Sequence, residues 1–377
     1  MKSVMVHSYS IKELLIQINK KRKEGFKPTM AFVYASVSHN IRKLVAELSG
    51  YPFMIFGATT VGEIFANEEF GVNSKDESII CLLLEVNPKA VGIKLFQTED
   101  RDAFEMGQEV AKWSKSKFKD PAIITATSGL LFDNDAYTQG IVKAGVEYAF
   151  GGLAGDDMIL KDTFVFSKEN FSSHGVIALA IDREKIEIVG SRAFGWAGIG
   201  RERIVTEAHK NIVYEIDGKP AVDFYKSYLH ITSADMPQTG IEYPLEVIMK
   251  NKQVVYRAVL GIDDKAGALI FGGHVELKSR VRISAPRGKV IIDHVTESII
   301  QAKKDANDFK PELALVFPCC SRKQVLGNFT IDEVTAAYKA IGAPLVGFFA
   351  YGEIGAFPGG YGFHNETFVT ALLREKE

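Results

Sequence analysis

The sequence predicts a mixed α+β and α/β protein: two layered α/β domains with mixed sheets flanked by helices. Three observations carry this. The chain has 377 residues, more than one hydrophobic core usually supports. An order of strand, polar loop, helix, strand and glycine turn recurs three times, as internal repeat-like units. Short β-branched runs bounded by turn residues fill the stretch between the second and third units and read as antiparallel strands.

Taken in order, Ser10 to Lys20 is expected to be a helix, with Ser10 as its N-cap and Leu14, Leu15 and Ile18 on one face. The basic run Lys20–Lys23 reads as a solvated loop. The first unit is predicted from a buried strand over Thr29–Ser36, a helix over Asn40–Leu48 and a short strand over Phe53–Phe56 that ends at Gly57. The second runs through Ala122–Thr125, a helix near Tyr137–Val146, and Tyr148–Phe150 before Gly151-Gly152. The third runs through Leu313–Phe317, Ile331–Ile341 and Leu345–Phe349. The first and third share a sharper detail: Gly57–Ile64 and Gly347–Ile354 both read G-x-x-x-x-G-E-I, which implies one turn geometry used twice.

Thr163–Phe166, Val176–Ile181, Ile186–Gly190 and Ile204–Ala208 are expected strands. Asn211–Ile216 then meets Asp217-Gly218, a tight-turn signal, and Pro220 opens a helix over Ala221–Leu229. The domain boundary is placed there, giving 1–218 and 219–377. Beyond it, Leu245–Lys250, Gln253–Val259, Leu269–Phe271 and Val281–Ser284 read as strands and Val290–Lys304 as a helix.

Composition narrows the function. Lys and Arg number 45 against 47 Asp and Glu, so no overall field draws in nucleic acid or an anionic membrane. The apolar stretches fall far short of the roughly 20 residues of a spanning helix, and Met1–Gln17 does not read as a signal peptide. Three cysteines, two of them adjacent (Cys319-Cys320), make neither a disulfide framework nor a CxxC zinc pair. A reducing cytoplasm is the expected compartment. No phosphate-binding loop, H-E-x-x-H or G-x-S-x-G motif is present. The glycine-spaced run Gly195–Gly200 is expected to form turns.

What remains is a set of strand ends. Ser36 with Ser38, Thr127 with Ser128, and Cys319 with Cys320 and Ser321 close three strands. Glycine-edged turns carry Thr59, Thr60 and Glu63, then Asp156 and Asp157, then Tyr351 and Glu353. Glycines let a ligand approach the backbone closely. Glu63 or Glu353 could hold an amine and Arg322 could fork onto a carboxylate, a set suited to an amino-acid-like zwitterion. The alternative stands beside it: the glycines close tight loops and the acids cap helix N-termini.

In these motifs, and over nearly its whole length, the sequence resembles the FIST family of sensory modules. The resemblance rests on Gly57–Ile64, Gly151–Asp157, Gly175–Ala180, Val205-Thr206, Asp217–Ala221, Cys320-Ser321-Arg322, Gly347–Gly355 and His364-Asn365-Glu366-Thr367. It implies signal transduction through binding of a small ligand, with His364 among the site residues. Stand-alone members that bind haem, sense nitric oxide and control a histidine kinase resemble this chain in carrying no output domain. The expectation is therefore a non-enzymatic sensor with a separate signalling partner, no nucleic acid and no direct membrane insertion, and self-association left open. Haem would need an axial ligand from His7, His39, His174, His209, His230, His274, His294 or His364, and the sequence does not choose among them. The rival reading is a thiol-dependent hydrolase or transferase using Cys319 or Cys320.

Overall fold

The structure, a computed structural model, describes residues 1–99, 101–229, 232–236, 238–358 and 361–376. It contains three six-stranded mixed sheets with one shared plan. The three predicted units each supply a parallel pair: Met30–Ala35 with Met54–Thr59, Pro121–Thr127 with Ala149–Leu153, and Leu313–Pro318 with Leu345–Phe348. Parallel strands need a crossover. Here it is helical: Ile41–Leu48, Asn134–Lys143 and, in the third unit, Cys320–Leu326 followed by Thr330–Ile341.

Two further strands of each unit complete the pattern on one side. Ile79–Glu85, Gly175–Asp182 and Phe368–Glu375 run antiparallel to the first strand of their own pair. Outside them lie Lys2–Ser8, Val91–Gln97 and Ile186–Ala193. The chain is thus three repeats, spanning 2–85, 91–182 and 186–375. The third is interrupted by an insertion, 196–286, that builds an eight-stranded sheet of its own.

On the other side each sheet is finished by a neighbour. Glu63–Asn67 of the first repeat pairs with Leu345–Phe348 of the third. Glu353–Ala356 of the third pairs with Ala149–Leu153 of the second. Val165–Phe166 of the second pairs with Met54–Thr59 of the first. The exchange closes on itself. It also explains the repeated G-x-x-x-x-G-E-I, whose last two residues begin the crossing strand. Equivalent glycines sit where sheets leave no space: a Cβ on Gly347 would lie 1.7 Å from Val316 O, and one on Gly151 1.7 Å from Thr125 O.

Inner faces of the three sheets pack into one core, with Phe32 and Phe56 from the first, Ile124 and Phe150 from the second, and Phe65, Phe317 and Phe348 from the third. Each such buried side chain contributes about 1.5–3 kcal/mol. Helices cover the outer faces through Leu14, Ile18 and Leu44, through Met106, Val110 and Ile141, and through Val295, Val334 and Ile341.

The mixed sheets and flanking helices are as the sequence predicts, with local corrections. Lys20–Lys23 is the last turn of the helix Ile11–Lys23 rather than a loop. Four cations suit the negative end of the helix dipole. Gly195–Gly200 does not turn. Most of it opens the strand Trp196–His209, and its glycines admit crowded neighbours: a Cβ on Gly198 would lie 2.4 Å from Arg282 Nε. Asp217-Gly218 is the expected tight turn, both residues at positive φ. Strands from either side of residue 218 share sheets: Ile186–Ala193 lies beside Phe368–Glu375, and Trp196–His209 beside Arg280–Pro286. Among the described residues no helix is long and apolar enough to cross a membrane.

Candidate functional site

The repeats place equivalent residues at the tips of their sheets. Ser36, Ser128 and Cys319 each follow the last residue of the first parallel strand. Each donates its N–H to a carbonyl at the start of the closing strand: Ser78 O at 3.0 Å and Thr367 O at 2.9 Å, one residue before it, and Gly175 O at 2.8 Å, its first residue. The sequence-predicted site residues therefore occupy three related tips, which the structure furnishes differently.

The first tip is closed. Glu63 is fully buried. It accepts hydrogen bonds from Thr60 Oγ1 (2.5 Å), Ser78 Oγ (2.5 Å) and Ser78 N (3.2 Å). Burial raises its pKa to about 8, against the pull of those donors. Ser36 Oγ lies 2.6 Å from Asp157 Oδ2 and 2.7 Å from Ser38 Oγ. Burial also raises Asp157, opposed by Ser36. Thr59 Oγ1 accepts from Phe164 N at 2.9 Å.

The second tip is closed as well. Ser128 Oγ donates to Ser172 O at 3.0 Å and accepts from Gly175 N at 3.0 Å. The Asp156 carboxylate gathers the N–H groups of Leu160 (2.9 Å), Lys161 (2.6 Å) and Asp162 (3.1 Å), and the Tyr351 hydroxyl. Neither Asp156 nor Glu63 caps a helix.

The third tip is open. Ala350 stands where the first repeat has Thr60, so Glu353 receives one bond, from Thr367 N to Oε2 at 3.0 Å, and Oε1 has none. Burial, and then the neighbouring Cys319, raise Glu353 well above the usual carboxylate range. Cys319 and Tyr351 line a cavity of about 630 Å³, within the size of small-molecule sites. Arg322 forks, but onto Glu333 within the protein (3.0 and 2.6 Å), and donates to the carbonyls of Glu366 and Ile291. His364 lies buried behind the tip with Nε2 2.7 Å from Tyr361 O. Burial drives its imidazole well below the ordinary value, so the ring is neutral.

The cavity exists because the insertion lies across this tip. Its other walls are the loop Gly129–Asp135 of the second repeat and the insertion residues Ala258, Leu260, Ile270, Phe271 and His274. A fully buried ion pair, Arg257 to Asp135 at 3.1 Å, moors the insertion to that loop. Arg257 also donates to the carbonyls of His274 (2.9 Å) and Phe363 (3.2 Å).

The most telling wall residue is Glu366, which sequence reasoning passed over in favour of its neighbour His364. Glu366 and Glu77 are equivalent, each two residues before a closing strand, and both sit at positive φ, 62° and 52°. Glu77 is exposed to solvent, whereas Glu366 is fully buried. Neither carboxyl oxygen of Glu366 has a hydrogen-bond partner, and Asn365 Oδ1 has none either. The nearby Ser321 hydroxyl donates to Cys319 Sγ at 2.7 Å. Burial raises the Glu366 pKa to about 8, with Ser321 and Arg322 opposing the rise. A buried, left-handed, unpartnered acid is costly to hold.

The other charged wall residues are compensated. His274 Nε2 and Lys210 Nζ lie 3.0 and 3.6 Å from the Asp133 carboxylate. Burial would raise Asp133, but the His274 contact holds it below its ordinary value. Burial would lower His274, but Asp133 holds it above. Burial likewise pushes the Cys319 thiol well up, away from the thiolate a nucleophile needs. These residues do not fit a haem. Of the described histidines only His274 lines the cavity, its Nε2 faces a carboxylate, and no uncommitted wall cation is available for propionates. His230 lies outside the described residues. Among those described, no cluster of three metal-ligating side chains occurs.

A walled recess of this volume is of the sort that small molecules occupy in proteins. The family comparison agrees in kind. The model described as the FIST N domain matches residues 29–219, and that of the FIST C domain matches 221–356. The chain belongs to the FIST family, whose domains are sensory domains of signal transduction. It is 25% identical over 232 residues to an uncharacterized protein of Mycobacterium tuberculosis, Rv0628c, across 59% of this chain and 60% of that one. It is 24% identical over 233 residues to an uncharacterized protein of Mycobacterium bovis, Mb0898c, across 59% of each. The chain thus spans about three-fifths of the length of these relatives.

Proposed function

We propose that this protein is a non-catalytic cytoplasmic sensor: a small molecule enters the cavity at the third tip, and its occupancy is passed to a separate signalling partner. A histidine kinase is the partner the family resemblance implies. The observation that carries the reading is Glu366, sealed beneath the insertion with both oxygens unsatisfied. A ligand that offers donors there relieves that cost. Because the insertion forms part of the wall, filling the cavity favours the closed arrangement of insertion and repeats, which is the differential affinity a switch requires.

The zwitterion expected from sequence loses its carboxylate anchor, since Arg322 is committed to Glu333. The ligand favoured is one with donors at the head. For Cys319 the thiol-enzyme alternative is disfavoured by its raised pKa.

Thermal unfolding against amines, amino acids and other metabolites tests the proposal. A true ligand at 100 times its Kd stabilises by about 2.7 kcal/mol, and Glu366→Gln should abolish much of that shift. Stabilisation that survives both Glu366→Gln and a bulky Ala258→Trp in the wall would place the ligand elsewhere and overturn the reading.

A further inference from the structure

The cavity differs in character along its depth. At the closed end are polar oxygens without hydrogen-bond partners, the two of Glu366 and Asn365 Oδ1. At the mouth, Leu130, Leu131, Leu160 and Leu260 line the opening beside the paired Lys210 and Asp133, and the four leucines are 41%, 100%, 48% and 49% exposed. Singly exposed leucines are ordinary, but four around one opening make a concentrated apolar rim. A volume of about 630 Å³ also exceeds what a compact polar head needs.

From this we propose that the cavity takes an amphiphilic cation: a primary ammonium head against Glu366 and Asn365, with an aliphatic tail running out to the leucine rim. The inference rests on the ligand-binding reading and names the ligand class. The head is a donor, because Asn365 Oδ1 and the carbonyl oxygen of the Glu366 carboxyl are acceptors with no donor. It is cationic, because Glu366 makes no ion pair among the described residues, Arg322 being spent on Glu333, and an ammonium beside the Glu366 carboxyl would displace its proton and pair with the carboxylate. The tail is apolar, because polar groups at the mouth would be set against leucine. A carboxylate head is excluded by the same inventory, since Lys210 and His274 already face Asp133.

The test compares three homologous series by calorimetry on the full chain: n-alkylammonium, n-alkanol and n-alkanoate from four to ten carbons, each below its micelle concentration. Octylammonium is expected to bind at least tenfold more tightly than 1-octanol or octanoate. Affinity should climb roughly fourfold per methylene until the chain passes the rim. Glu366→Gln should erase the preference of amine over alcohol. Leu131→Asp with Leu160→Asp should flatten the chain-length dependence while leaving the thermal midpoint near that of the parent. Equal binding of octanoate and octylammonium, or of butylammonium and octylammonium, overturns the inference. If short amino acids bind while chain length has no effect, the ligand-binding reading stands and this inference alone falls. If no compound of any series binds, both fall.

Discussion

The first and third repeats make the same backbone turn and use it in opposite ways. At the first tip every buried polar group has a partner: Thr60 and Ser78 hold Glu63, and Asp157 faces Ser36. At the third, alanine replaces the threonine, and Glu353 and Glu366 keep unsatisfied oxygens in or beside a cavity. The contrast separates a tip whose buried polar groups are paired from one whose polar groups are left open, as the proposed binding requires. Buried polar groups that are satisfied stabilise modestly, while those left alone cost more than they ever contribute.

The largest effect expected concerns the brace behind the open tip. Arg322→Met strips the fully buried Glu333 of its counter-charge, and should cost about 3–5 kcal/mol in urea unfolding. Next comes the direct comparison. Glu63→Ala leaves the Ser78 N–H and Thr60 hydroxyl unpaired in a dry site and should cost about 2–4 kcal/mol. Glu366→Ala removes a group with no bond to lose and should cost less than about 1 kcal/mol or stabilise. Equal losses would erase the distinction drawn between the tips.

A third measurement sharpens it through pH. Glu63 and Glu366 have folded pKa values near 8, while an unfolded Glu titrates at about 4.3. The folded state therefore holds protons that the unfolded state has released. This contribution is fully present below about pH 4.3 and is lost as pH rises through 8, by at most about 1.4 kcal/mol per unit for each group. Asp157 faces Glu63, and Arg322 faces Glu366. Glu63→Gln and Glu366→Gln should each flatten the decline between pH 5 and 8 in unfolding curves. The smallest effect should come from Leu131→Ser, which alters a fully exposed side chain and should change stability by no more than about 0.5 kcal/mol.

Much of this was legible in the sequence. The three parallel units announced themselves through buried apolar runs and glycine stops, and the shared G-x-x-x-x-G-E-I marked the two crossing strands. Cys319, read as a strand-end candidate, and Tyr351, read within the second G-x-x-x-x-G-E-I, both line the cavity. The strands Lys2–Ser8, Gly71–Lys75 and Val91–Gln97 were not seen, because edge strands carry polar residues that blur the alternation. Glu366 was missed because its neighbour His364 has the more conspicuous chemistry. Its burial depends on the insertion, and on an ion pair between Asp135 and Arg257, 122 residues apart. No local pattern encodes that.

The ring of exchanged strands has a consequence for how the molecule can be divided. Cutting the chain after residue 218 would deprive the second sheet of Glu353–Ala356 and leave Glu63–Asn67 with no sheet to join. Each fragment would then present bare strand edges, the template for aggregation. The three repeats are joined like interlocked links: each lends a strand to one neighbour's sheet and borrows one from the other, so withdrawing any one leaves both of the others with an unpaired edge or strand.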